Sequence, residues 1–264
     1  MGSYLDELFG LRGRVAIVTG STGGLGEAMA EALYCAGAKV IINGRYQERT
    51  EKAAAAALER LQGKAVLGAD AELFPIAGDM KDMAQAAALV EKVEQKYGRI
   101  DILVNNAGVN LDEDSFENQL DQWDLLMSTN LTGVFNVTKA ALPLLKQAPS
   151  GRIINMTSVL SHIGSAKNVL YSATKGGLLM WTKSLALDLA QTNVRVNCIS
   201  PGPFQTAMNA KFEDEKAHTA LMAVVPQQRM GVPSELCGAV IFLASEAGGY
   251  MTGSDIRIDG GMAT

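Results

Sequence analysis

Seven short apolar runs, separated by longer amphipathic segments, constrain this chain more than any other feature. They are "RVAIVTG", "AKVIING", "ELFPIAGD", "IDILVNNAG", "GRIINMTS", "VRVNCISPG" and "GSDIRIDGG". Most are apolar at nearly every position, as strands are when both faces are buried. Helical patterns cover 24–36, 47–61, 82–97, 120–147, 171–191 and 234–244. Strand–helix alternation from end to end predicts a parallel sheet with helices on both faces, joined by right-handed crossovers. The 264 residues are 48% hydrophobic and 19% charged, which suits one large α/β domain spanning 1–264. One stretch, 201–232, is irregular, with a polar helical piece between prolines. Its position predicts a lid over a site, within 203–230.

Charge and composition exclude several classes. The net charge is −5 and no basic stripe occurs, so nucleic acid is not an expected partner. No apolar run approaches the roughly 20 residues that cross a bilayer, and no membrane contact is expected. The first residues lack a basic segment followed by an apolar run, so the expected location is cytoplasmic. Cys35, Cys198 and Cys237 stand far apart and read as small buried hydrophobes. With only two histidines, His162 and His218, and no ligand spacing, no metal is expected.

The stretch "VAIVTGSTGGLGEAMAEAL" is a candidate phosphate cradle. The strand ends at Gly20 and a helix begins near Gly24. Backbone N–H groups at a helix start are unpaired and carry partial positive charge. Glycines at 20, 24 and 26 permit the tight turn and clear side chains from a pyrophosphate's approach. The spacing is G-x-x-x-G-x-G, not the G-x-G-x-x-G of the usual dinucleotide fingerprint. The second strand ends "IINGRYQER" with no carboxylate at its tip, where one would bind the ribose hydroxyls of NAD. Arg45 stands there instead, and a guanidinium suits a 2′-phosphate. NADP(H) is therefore favoured as cofactor, with NAD(H) as the alternative.

Tyr171 and Lys175, in "YSATKGG", share one helix face. A free phenol has a pKa of about 10, and a nearby ammonium lowers it. Bringing it near 7 takes about 4 kcal/mol of differential stabilisation. Ser158 follows strand "GRIIN", at the sheet edge where ligands of open α/β proteins bind. "LVNNAG" ends the fourth strand at the same edge. Asn130, in "STNLTG", interrupts a helical pattern that disfavours asparagine.

These residues together resemble the short-chain dehydrogenase/reductase family. "TGSTGGLG", "NNAG", "STN", Ser158, "YSATK", "SPGPFQT" and "MTGSDIRIDGG" match in order and spacing over nearly the whole chain. The resemblance implies a Rossmann-type, doubly wound, seven-stranded parallel sheet. It implies Tyr171 as general acid/base, Lys175 as the residue that lowers its pKa and binds the nicotinamide ribose, Ser158 as holder of the substrate oxygen, and Asn130 as carrier of a water in a proton relay. It implies a cofactor site of Gly20, Ser21, Thr22, Gly24, Leu25, Gly26, Arg45, Asp79, Met80, Asn106, Ala107, Gly108, Tyr171, Lys175, Pro201, Gly202 and Thr206. It also implies a homotetramer, with the 120–147 and 171–191 helices paired between subunits.

The partner is expected to be a small alcohol or ketone. Ser158, His162, Lys167, Asn168 and Phe204 are candidate substrate contacts, and the polarity of 158–168 suggests a hydroxylated substrate. The leader and "SPGPFQT…RMGVPSELCGAVIFLAS" are similar to gluconate 5-dehydrogenases, which makes a sugar acid or polyol the expected substrate. Lys167 or Arg229 would then meet a carboxylate. A 3-oxoacyl-(acyl-carrier-protein) reductase is the enzymatic alternative, and a non-catalytic NADP sensor the alternative of another class.

Overall fold

The computed structural model describes residues 3–111, 120–166 and 168–264. Its elements are α1 (Tyr4–Phe9), β1 (Val15–Val18), α2 (Gly24–Cys35), β2 (Lys39–Gly44), α3 (Gln47–Leu61), β3 (Glu72–Ala77), α4 (Met83–Tyr97), β4 (Ile102–Asn105), α5 (Leu120–Met127), α6 (Gly133–Gln147), β5 (Gly151–Met156), α7 (Val169–Asp188), β6 (Val194–Pro201), α8 (Glu215–Met222), α9 (Ser234–Ala244) and β7 (Asp255–Ile258). The strands form one parallel sheet in the order β3-β2-β1-β4-β5-β6-β7.

The reason the strands are apolar at consecutive positions is now visible. Ala16 and Val18 belong to the core on one face, with Met29 and Leu33 of α2 and Leu236 and Val240 of α9. Val15 and Ile17 belong to the other, with Leu89 and Val93 of α4 and Val137 and Leu145 of α6. Successive residues of a strand point to opposite faces, so a sheet covered on both sides needs apolar residues throughout.

Chain direction across the sheet reverses at β1. The chain runs outward through β2 and β3, then returns to pair β4 on the other side of β1. Ligands of open parallel sheets bind at such a switch point, beyond the carboxyl ends of the strands. Here those ends carry the glycine turn and Asn106–Gly108.

Several helices differ from expectation. The 120–147 helix is interrupted by a π-turn, Ser128–Thr132, with Asn130 at its middle. A π-turn inserts one residue into the helical ladder and often marks a functional position. The helix expected at 171–191 starts at Val169 and ends at Asp188. Asp82, the expected first residue of α4, is its N-cap, accepting from the N–H of Ala84 at 2.8 Å and of Gln85 at 3.2 Å.

Candidate active site

The glycine turn is built to leave room. Gly20 has φ +63, the left-handed region that a side chain disfavours, and a Cβ there would lie 2.8 Å from Ala107 Cα. Gly23 caps α2 without a side-chain bond, so the first N–H groups of α2 remain free. Thr19 and Asn106 lock the turn to β4. Thr19 Oγ1 accepts from the N–H of Asn106 and Ala107, each at 3.0 Å, while Asn106 Nδ2 donates to Thr19 O at 2.9 Å and Gly20 O at 3.0 Å.

A groove runs from this turn across the tips of β2 and β3. Gly20, Thr22, Gly24, Leu25, Gly26, Arg45, Asp79, Met80, Asn106, Ala107, Gly108 and Thr206 all line it, as expected. Ser21 does not. Its hydroxyl donates to Val18 O at 2.7 Å and accepts from Asn43 N–H at 3.0 Å, tying β1 to β2. Its expected place in the groove is corrected accordingly: the side chain is buried in the sheet. Arg49, Tyr46 and Lys81 also line the groove and escaped the sequence reading. Arg49 lies in the first turn of α3, four residues after Arg45, a spacing that could have exposed it.

The groove opens into a second cavity of about 220 Å³. Ser158, Tyr171, Lys175, Pro201, Gly202, Asn168, Phe204 and Thr206 line it. Tyr171 and Ser158 share a side-chain hydrogen bond. Burial pushes the Tyr171 phenol up to about 12, and the Ser158 bond opposes that rise. The expected lowering toward neutrality is therefore not a property of the protein groups alone, because burial outweighs them. Lys175, also buried, is pulled down to about 8 by desolvation. Its ammonium donates to Met156 O at 2.7 Å.

Asn130 lies behind this wall. It is fully buried, accepts from Val109 N–H at 2.8 Å, and donates to Val109 O at 2.9 Å and Thr174 Oγ1 at 3.1 Å. A Cβ on Gly108 would sit 3.3 Å from Asn130 Oδ1 and 3.5 Å from Lys175 Nζ, so the three are close neighbours. Asn130 braces the site from the second layer.

His162 is a correction. It does not line the cavity; its Nε2 turns instead to Ser200 and Asp255, whereas no carboxylate lines the cavity among the described residues. Lys167 lies outside the described residues. Arg229 is also corrected as a carboxylate ligand, because Glu235 already takes both its terminal nitrogens at 2.7 and 2.6 Å. The far wall contains Asn110, Leu160, Ser165, Met208, Asn209, Phe212, Leu221 and Met262, none of them singled out individually from the sequence. These converge from five separate stretches and carry no shared local signal. No cluster of three or more His, Cys, Asp or Glu that could hold a metal occurs among the described residues. No helix among them is long and apolar enough to cross a membrane.

A family model described as enoyl-(acyl carrier protein) reductase matches residues 20–263. The chain belongs to the short-chain dehydrogenase/reductase family. As a member, it is an oxidoreductase of the NAD(P)-dependent alcohol–carbonyl class. Nodulation protein G of Rhizobium sp. (strain N33) is 38% identical over 97% of this short-chain dehydrogenase/reductase and 99% of its own length. The 3-oxoacyl-(acyl-carrier-protein) reductase of Thermotoga maritima is 37% identical over 96% and 98%. The crystal structure of a gluconate 5-dehydrogenase from Burkholderia cenocepacia J2315, in complex with NADP and tartrate, superposes with a TM-score of 0.89 at 35% identity, covering 98% of both chains.

Proposed function

We propose that this chain interconverts a ketone and a secondary alcohol with NADP(H), on a substrate that joins an apolar arm to uncharged hydrogen-bonding groups. The cavity lining supports this. Leu160, Met208, Phe212 and Leu221 form an apolar wall, and Asn110, Ser165, Asn168 and Asn209 supply neutral polar groups. Lys175 is the one cation among the described lining residues, and it is committed to Met156 O. A 3-oxoacyl thioester fits such a lining, and the Thermotoga maritima relative is a 3-oxoacyl-(acyl-carrier-protein) reductase.

The groove fits a dinucleotide. Free N–H groups at the α2 start suit the pyrophosphate. Arg45 and Arg49, with no carboxylate at the β2 tip, suit a 2′-phosphate and favour NADP(H) over NAD(H). NADPH, when bound, supplies a hydride to the carbonyl carbon. Tyr171 donates its phenolic proton to the substrate oxygen, and Ser158 hydrogen-bonds that oxygen and steadies it. Lys175 holds positive charge beside the phenolate left behind. Asn130 keeps Val109 and Thr174 in place beneath Lys175. Pro201 and Gly202 wall the nicotinamide end, and 203–230 closes over the substrate as a lid. Phe135 of α6 and Met180 and Leu187 of α7 are exposed, which supports pairing of these helices in a homotetramer.

A sugar-acid substrate is the second reading. The amide side chains Asn110, Asn168 and Asn209 favour it, as does the tartrate-bound relative. The deciding experiment follows reduced-nicotinamide absorbance with acetoacetyl-coenzyme A and with 5-ketogluconate, each with NADPH and NADH. Faster turnover of the thioester with NADPH is expected, lost in Tyr171→Phe. Turnover of 5-ketogluconate alone would replace the first reading by the second. Tight NADPH binding with no turnover of any ketone would favour a sensor.

A further inference from the structure

A side-chain hydrogen-bond network grips the Ser158 turn at both ends, and the chemistry above makes no use of it. Ser158 opens a three-residue 3-10 turn, Val159–Ser161, and its Oγ accepts from Leu160 N–H at 3.1 Å. His162 closes the turn, donating its N–H to Val159 O at 3.0 Å. So short a turn has poor hydrogen-bond geometry and little rigidity of its own. Its position depends on what its ends hold.

Both ends hold Ser200. Thr157, immediately before Ser158, places Oγ1 2.7 Å from Ser200 Oγ. His162 places Nε2 3.2 Å from the same Ser200 Oγ and 2.8 Å from Asp255 Oδ2. Asp255, on β7, also accepts from Ser200 Oγ at 2.8 Å and from Cys198 Sγ at 3.2 Å. The proton count assigns the imidazole. A carboxylate only accepts, so His162 carries its proton on Nε2. Ser200 is followed directly by Pro201 and Gly202, which line the cavity. The network thus connects the turn that carries Ser158 to the strand end that walls the nicotinamide side.

We propose that His162 is a positioning residue: through Asp255 and Ser200 it holds the Ser158 turn in register with Pro201–Gly202, so that Ser158 meets the substrate oxygen at the distance hydride transfer needs. His162 touches neither substrate nor cofactor. The inference rests on the reading that Ser158 steadies the substrate oxygen. Displacements of about 1 Å at a reacting centre cost up to about 10²-fold in rate, whereas binding of a cofactor held elsewhere is spared.

The test combines kinetics with an activity-independent readout. Acetoacetyl-coenzyme A and NADPH serve as probes for the wild type, His162→Ala, His162→Gln, Asp255→Asn and the His162→Ala/Asp255→Asn double variant. We expect His162→Ala to lower kcat about tenfold or more, with the NADPH dissociation constant within about twofold of wild type. Glutamine, whose amide can donate to Asp255, should restore most of kcat. The double variant should lose no more than the worse single, since both break one interaction. Hydrogen exchange at the Leu160 amide should quicken in His162→Ala and recover in His162→Gln. Wild-type kcat in His162→Ala would overturn the proposal, as would unchanged Leu160 exchange. Equal loss of NADPH binding and kcat would also overturn it, by making the role one of general folding. If the wild type turns over neither this probe nor 5-ketogluconate, the functional reading fails, while the exchange measurement still decides whether His162 holds the turn.

Discussion

Lys175 gives its ammonium to the Met156 carbonyl oxygen at 2.7 Å, and its nitrogen stands 5.7 Å from the centre of the Tyr171 ring. The charge is thus anchored to the end of β5 and faces the phenol across the ring. This arrangement fixes an ammonium in a buried site without a carboxylate partner among the described residues, and desolvation dominates its titration. One protein carbonyl offsets only part of the cost of burying a charge.

That burial has a signed consequence for stability. Lys175 titrates at about 8 in the folded chain against 10.5 ordinarily. Between those values the unfolded chain binds more protons, so this group makes stability rise with pH. Tyr171 acts in the opposite sense at higher pH: raised from 10.0 to about 12, it makes stability fall across that window. Lys175→Met removes only the first slope. The stability gain of the variant over wild type, measured by urea unfolding, should be fully present below about pH 8 and shrink toward pH 10.5. A gap that does not change with pH would show that Lys175 titrates normally.

Tyr171→Phe removes the hydroxyl that shares a side-chain hydrogen bond with Ser158 while keeping the ring. General acid catalysis contributes about 10²- to 10⁴-fold, and kcat should fall by that order. NADPH binding, followed by its fluorescence, should stay near wild type because the groove residues are untouched. Residual activity within about threefold of wild type would assign the proton to another donor.

Cofactor choice tests the two arginines. Arg45 leans on the Tyr46 ring, with its guanidinium carbon 5.8 Å from the ring centre, and Arg49 lines the same end of the groove. A hydrogen bond to a charged group contributes about 1.5–3 kcal/mol, or about 10- to 150-fold in binding. Arg45→Asp should lower kcat/KM for NADPH by that order and raise it for NADH. Arg49→Ala should lower NADPH use alone, by less. An unchanged NADPH-to-NADH ratio in both would move the 2′-phosphate away from this corner.

The sheet was legible because its signal is local: most strands declare themselves by consecutive apolar residues, and Asp82, the predicted start of α4, is its N-cap. That Tyr171 and Lys175 share one cavity was legible because they are one helical turn apart. The π-turn around Asn130 was not, since an inserted residue in the hydrogen-bond ladder leaves the side-chain pattern nearly unchanged. The direction of His162 depends on Asp255, 93 residues away, and the apolar wall of Met208, Phe212 and Leu221 depends on how 203–230 folds back. Ser21 was misassigned for the same reason: its partner Asn43 lies on the neighbouring strand, invisible to a motif read along one turn.

The glycine turn gives the strictest test of how fold and site depend on one residue. Gly26 lies in the first turn of α2, packed against the turn it follows. A Cβ there would sit 2.5 Å from Gly20 O and 3.0 Å from Ser21 Cα. Gly20 O also accepts from Asn106 Nδ2, so a methyl group would push apart the bond that ties the turn to β4. Gly26→Ala should therefore cost about 1–3 kcal/mol of stability, as inserted groups do in closely packed sites. Because the same turn presents the α2 N–H groups, NADPH affinity should fall about tenfold or more. Urea unfolding and NADPH fluorescence titration on the same preparation read the two effects. A variant with wild-type stability and affinity would mean that α2 can draw back from β4 without disturbing the cradle, and that Gly26 serves neither close packing nor phosphate approach.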